Sequence, residues 1–132
     1  MGAGDTSVRL VGLKPAKIKE LESSVNLIKS LLNGEDVEVG SALPAYLEFA
    51  QQVPVWIAAG GPKTLEMAGA CADRVFIRVG TDVKNIELSV NKIREGAEKA
   101  GKNPSSVKIG AVFHTVFSEN DMRTLELKAN ML

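Results

Sequence analysis

Cysteine and histidine are scarce in this sequence, and their scarcity removes a class of function. A single cysteine, Cys71, cannot close an internal disulfide, and with the lone histidine His114 it cannot assemble a structural zinc site. An excess of one charge is missing too. The 16 Lys and Arg balance 16 Asp and Glu, so the chain lacks the positive field that draws nucleic acid or an anionic membrane. No apolar run approaches the roughly 18 residues of a membrane span, and Met1-Gly2-Ala3-Gly4-Asp5 has neither the basic segment nor the apolar stretch of a secretory leader, so a cytoplasmic protein is expected. Nothing repeats at a fixed period. What is present, 45% hydrophobic and 24% charged residues, is a soluble, foldable mixture. A length of 132 residues supports one core rather than two, and a single unit spanning residues 1–132 is expected.

The apolar residues Ile18, Leu21, Val25, Ile28, Leu31 and Leu32 recur at steps of three and four between Pro15 and Asn33, which predicts an amphipathic helix. Pro15 suits its first turn, and Gly34 the left-handed position past its end. Glu35 to Gly40 reads as a short strand or extended loop, and Pro44 to Gln52 as one or two helical turns. The apolar run Pro54-Val55-Trp56-Ile57-Ala58-Ala59 predicts a strand covered on both faces, as in parallel sheets. Gly60-Gly61-Pro62 ends it, and Pro62 opens a second helix in which Gly69 permits a close contact. A second strand is expected from Arg74 to Val79. A third helix then carries Ile86, Val90, Ile93, Ala97 and Ala100 on one face and stops at Gly101. Val107 to Phe117 is expected as a third and longest strand, with Ser118 and Asp121 capping a last helix toward Leu132. Strands alternating with helices specify an α/β fold whose parallel strands are joined by right-handed crossovers. Three main strands fall far short of the roughly eight that close a TIM barrel.

The turn Ala59-Gly60-Gly61-Pro62-Lys63-Thr64 joins a strand to a helix. Such a turn is either an ordinary connection or a cradle that aims backbone N–H groups and the positive end of a helix dipole at a phosphate. Thr64 would add a hydroxyl, and Lys63 either a charge or a solvent-facing side chain. His114 has no carboxylate or cysteine beside it in sequence and reads as structural. Cys71, set among alanines, reads as a small buried hydrophobe, and Trp56 and Phe76 as core or wall. Gly2-Ala3-Gly4-Asp5 reads as a frayed terminus or as a strand-to-helix turn, with Asp5 capping a helix beside Thr6 and Ser7.

Several of these segments, in this order, resemble the bacterial luciferase-like flavin and deazaflavin oxidoreductases, and within them the methylenetetrahydromethanopterin reductase branch. They are Gly2-Ala3-Gly4-Asp5, Leu31-Leu32-Asn33-Gly34-Glu35, the stretch from Pro54 through Gly60-Gly61-Pro62-Lys63-Thr64 to Gly69, Ala72-Asp73-Arg74-Val75, and Arg94-Glu95-Gly96-Ala97. The resemblance implies a TIM barrel of which this chain supplies the part from the loop after the fourth strand to the helix after the seventh. It implies that Ala58, Ala59, Gly60, Gly61 and Thr64 lie against the phosphate-bearing tail of coenzyme F-420, or of FMN in the monooxygenase variant. It further implies that Asp5 is an acidic residue near the reacting carbon of the cofactor. The activity implied is hydride transfer to a small molecule such as a one-carbon pterin. Two other readings are carried forward. One is a truncated, non-catalytic chain that self-associates through exposed barrel edges. The other is a flavodoxin-like phosphate-binding module, which requires the strand order to reverse beside the Gly60 turn.

Overall fold

The computed structural model of the chain describes residues 1–3, 6–113, 115, 122 and 126. Its helices are α1 (Thr6–Leu10), α2 (Ile18–Leu32), α3 (Pro62–Cys71) and α4 (Val83–Lys99); its strands are β1 (Trp56–Ala59), β2 (Arg74–Ile77) and β3 (Lys108–Ala111). The three strands form one parallel sheet in the order β1-β2-β3. Each return passes through a helix packed on the same face, as a β/α barrel segment requires. The flavodoxin-like alternative is thereby overturned, because strand order does not reverse beside Gly60.

Period-2 alternation sorts the strand residues. Ile57, Ala59, Val75 and Ile77 point to one face and are buried with Leu21 and Val25 of α2, Leu65 and Ala68 of α3, and Ile93 and Ala97 of α4. The opposite face carries Trp56, Ala58, Arg74 and Phe76, and Phe76 is 39% exposed. Of the two faces expected to be covered, the helices cover one, and the other is uncovered among the described residues.

Small residues set the tightest helix contact. A Cβ at Gly69 would collide with the backbone carbonyl of Ile93, and one at Gly96 with that of Glu66, so α3 and α4 cross with their backbones in contact. Beneath this crossing, the carboxyl end of α3 lacks a basic residue in its own last turn. Lys102 supplies one, with Nζ donating to the carbonyls of Ala72 at 2.7 Å and Gly69 at 3.3 Å, and Lys29 donates to that of Cys71 at 3.2 Å. Lys29 also pairs with Asp73 at 2.7 Å, whose second oxygen accepts from the Val55 amide at 2.9 Å. This network fastens α2, α3 and the entry to β1 at the amino ends of the strands.

Several boundaries differ from the sequence reading. Pro15 precedes the N-cap of α2, which is Lys17, and the Glu20 carboxylate accepts from the Lys17 amide at 2.8 Å. Gly34 takes the expected left-handed conformation at φ 83°. No helix forms from Pro44 to Gln52; Val37 and Ala45 instead exchange an antiparallel pair of bonds at 2.9 and 2.8 Å, which uses the backbone groups a helical turn would need. The strand expected from Val107 to Phe117 is confined to Lys108–Ala111 among the described residues. His114 and the pair Ser118 and Asp121 lie outside them.

Candidate functional site

Parallel strands leave their carboxyl ends on one rim, and that rim holds the turns that start the following helices. Gly60 and Gly61 occupy it after β1. Gly61 is the N-cap of α3 with φ −89° and ψ 151°, and it has no side chain to satisfy the first amides of the helix. Pro62, at the first helical position, has no N–H to satisfy. The Leu65 amide closes the first turn on the Gly61 carbonyl at 2.9 Å, while the amides of Gly60, Gly61, Lys63 and Thr64 have no acceptor among the described residues. Nothing lies within 4 Å of the position a Cβ on Gly61 would take, so the space above the turn is open. Gly60 and Gly61 are exposed and Thr64 is half-buried. These features fit an anionic oxygen held by several N–H groups at a helix start.

Two of the sequence candidates stand differently. The Ala58 amide donates to the Met1 carbonyl at 2.8 Å, so Ala58 offers a small exposed wall rather than a donor. The Ala59 side chain is buried beneath the helices and its carbonyl accepts from the Arg78 amide at 3.3 Å. Asp5 lies outside the described residues. Met1 donates its amino group to the Trp56 carbonyl at 2.5 Å and accepts from Ala58, the pattern of a parallel neighbour of β1. Residues 1–3 thus run alongside β1, and Ala3 leaves the sheet at the end where Gly60 stands.

Arg78 is a residue that sequence reasoning missed. It follows β2 on the same rim, with an exposed side chain, and its carbonyl is 3.4 Å from the position of a Cβ on Gly60. The signal was a lone basic residue directly after the apolar run Val75-Phe76-Ile77. Lys63, by contrast, lines a groove of about 320 Å³ between α2, α3 and α4 with Glu22, Glu66 and Lys99, which places it on the helix layer rather than the rim. A second groove, of about 310 Å³, is lined by Lys29, Pro54 and Asp73 at the amino ends of the strands. Neither groove includes Gly60, Gly61 or Thr64. In a β/α barrel the amino-end rim serves stability and the carboxyl-end rim serves chemistry, so the turn outranks both grooves.

Below the rim, Trp56 and Phe76 stack with ring centroids 4.1 Å apart and planes at 21°, and the Arg74 guanidinium lies 5.1 Å from the indole centroid. A Cβ on Gly110 would come within 3.1 Å of the Phe76 ring. Burial raises the Cys71 thiol pKa, with Glu22 adding to the effect, and its sulfur lies 3.4 Å from that of Met67.

The profile of the family described as luciferase-like monooxygenase matches residues 1–131. The chain belongs to this family. Among curated luciferase-like relatives, the 5,10-methylenetetrahydromethanopterin reductase of Methanolobus tindarius is 37% identical over 83 residues, which are 63% of this chain and 24% of that protein. The F-420-dependent glucose-6-phosphate dehydrogenase of Mycolicibacterium gilvum is 44% identical over 59 residues, or 42% of this chain and 17% of that one. The chain therefore spans about a quarter or less of these two relatives. The coenzyme F-420-dependent tetrahydromethanopterin reductase of Methanopyrus kandleri superimposes over 96% of this chain and 43% of its own, with TM-score 0.74 and 22% identity. The described strands and helices are accordingly a partial luciferase-like TIM barrel. Among the described residues no helix is long and apolar enough to cross a membrane.

Proposed function

We propose that this chain supplies the phosphate-holding sector of a coenzyme F-420-dependent oxidoreductase. The observation that carries the reading is the set of amides at Gly60, Gly61, Lys63 and Thr64 on the carboxyl-end rim that have no acceptor among the described residues. Two of the relatives named above support it, since their names state dependence on F-420. In this reading Gly60 and Gly61 let the backbone approach the phosphate of the cofactor, the Thr64 hydroxyl and the start of α3 hold it, and Arg78 adds positive charge beside it. Ala58 forms a small wall on the inner face. Asp5 is proposed to hold or deliver a proton near the reacting carbon. The bound deazaflavin would supply the hydride, while the protein's contribution is orientation and exclusion of water. The substrate class proposed is a one-carbon pterin of the methylenetetrahydromethanopterin type. FMN is the alternative cofactor, because its phosphate would suit the same amides. A single unit over residues 1–132, acting in the cytoplasm, completes the proposal.

Titration of the purified chain with F-420, followed by its fluorescence anisotropy, tests the assignment, with FMN in a parallel titration. Saturable F-420 binding that weakens about threefold to tenfold in Thr64→Ala, the scale of one hydrogen bond, is expected. Tighter binding of FMN would transfer the site to the alternative cofactor, and absence of binding by either would defeat the reading.

A further inference from the structure

Helix α2 ends in a glycine cap whose chemistry singles out one side chain. Asn33 is the C-cap, and Gly34 after it takes the left-handed conformation at φ 83°. The Gly34 amide donates to the Leu31 carbonyl at 3.0 Å and the Glu35 amide to that of Ser30 at 3.0 Å, the two bonds of a Schellman motif. The Asn33 side chain is exposed and has no hydrogen-bond partner among the described residues. It is the one asparagine in the sequence followed by glycine. Asn26, Asn85 and Asn91 precede larger residues inside helices, and Asn103 precedes Pro104, which has no N–H. Because glycine has no side chain, the approach of its nitrogen to the neighbouring carboxamide carbon is unhindered.

We propose that Asn33 is a site of spontaneous deamidation, held in check by the closed cap of α2 and released when that cap opens. The Gly34 nitrogen gives up its proton to hydroxide and bonds to Cγ of Asn33. Nδ2 takes up a proton from water as the Cγ–Nδ2 bond breaks, and ammonia leaves. Water then opens the cyclic imide at either carbonyl, giving aspartate in the normal linkage or isoaspartate, in which the chain runs through the side-chain carboxyl carbon. No oxidant or reductant is needed. The closed cap opposes the first step twice. It engages the Gly34 N–H, and at ψ −4° the Gly34 nitrogen is turned toward the Asn33 nitrogen and away from Cβ. Either product puts a negative charge at the carboxyl end of a helix, where the dipole disfavours it. The charge also falls one turn from Lys29, in the groove where Lys29 pairs with Asp73, and competes for the cation that ties α2 to the entry of β1. None of this depends on which cofactor binds at Gly60.

The folded chain, held in mildly alkaline buffer and mapped by peptide mass spectrometry, is expected to convert at Asn33 ahead of Asn26, Asn85 and Asn91, with isoaspartate resolved from aspartate by chromatography. Conversion should run at least about tenfold faster in denaturing urea, where no cap protects the site. Glu35→Pro removes the N–H that bonds Ser30 while leaving Asn33-Gly34 intact, and should speed conversion of the folded chain severalfold, as one lost hydrogen bond allows. If circular dichroism shows that variant unfolded, the unaltered chain in urea below its unfolding midpoint takes its place, with the same acceleration expected. The converted fraction, separated by anion exchange, should unfold at lower urea than the intact chain. Conversion first at another asparagine would overturn the proposal. Equal rates in the folded and the urea-unfolded chain would overturn it too, as would a folded Glu35→Pro variant that converts no faster than the unaltered chain. An unchanged urea midpoint in the converted fraction would overturn the effect on Lys29 and the cap.

Discussion

At the scale of single residues, the two helix glycines and Asp73 are the most consequential positions outside the rim. Gly96→Ala pushes a methyl group into the Glu66 carbonyl, so α3 and α4 must separate. A loss of about 1–3 kcal/mol, the usual cost of overpacking, is expected as a lower urea midpoint. Gly61→Ala, which meets open space, should change the midpoint little. Asp73 is held below its ordinary pKa of 3.8: burial works against the charged form, but the Lys29 ammonium and the Val55 amide outweigh it. The unfolded chain then takes up this proton at higher pH than the folded one. Stability from Asp73 is fully present above pH 3.8 and is lost as pH falls through its lower folded value. Acid melts of Asp73→Asn should lack that component of the slope, and an unchanged slope would exclude Asp73 as its source.

At the scale of elements, caps and borrowed charges decide where helices begin and end. The Asp82 carboxylate accepts from the amides of Lys84 at 2.8 Å and Asn85 at 3.3 Å, so Asp82→Ala should cost about 1 kcal/mol in chemical denaturation. Lys102 reaches the carbonyls at the end of α3 from a different part of the chain, and burial lowers its pKa, with Lys29 nearby adding to the effect. The amphipathic periods of α2 and α4 were legible because their stripes face the sheet. The isolated bridge between Val37 and Ala45 was not, since it depends on two segments meeting rather than on local pattern. The strand boundaries were overextended for a similar reason: an apolar run states that residues are buried, while only a paired neighbour defines where the ladder stops.

At the scale of the whole molecule, the one buried thiol reports on global opening. Cys71 sits in the core, and burial raises the pKa of its thiol. Its modification by a disulfide reagent should therefore be slow in the native protein and should accelerate with urea in step with unfolding. Fast labelling without denaturant would show that α3 opens locally. The sheet itself is two-faced, with a helix-covered side that holds the core and an opposite side that carries the aromatic pair with Arg74 and Lys108.

Composition, helix periodicity and the order of glycine-bearing turns determined, without coordinates, that this is an α/β chain, and the ordered motifs pointed to the luciferase-like family. These are local properties, written in spacing and turn chemistry. The turn at Gly60 was legible as a candidate for the same reason. The amides that lack an acceptor among the described residues were not, because whether an N–H finds one depends on the strands and helices that surround it. Arg78, the Ala58 bond to Met1 and the stacking of Arg74, Trp56 and Phe76 likewise arise from parallel pairing in one register. Only the tertiary structure decided them, since register brings together residues that are far apart along the chain.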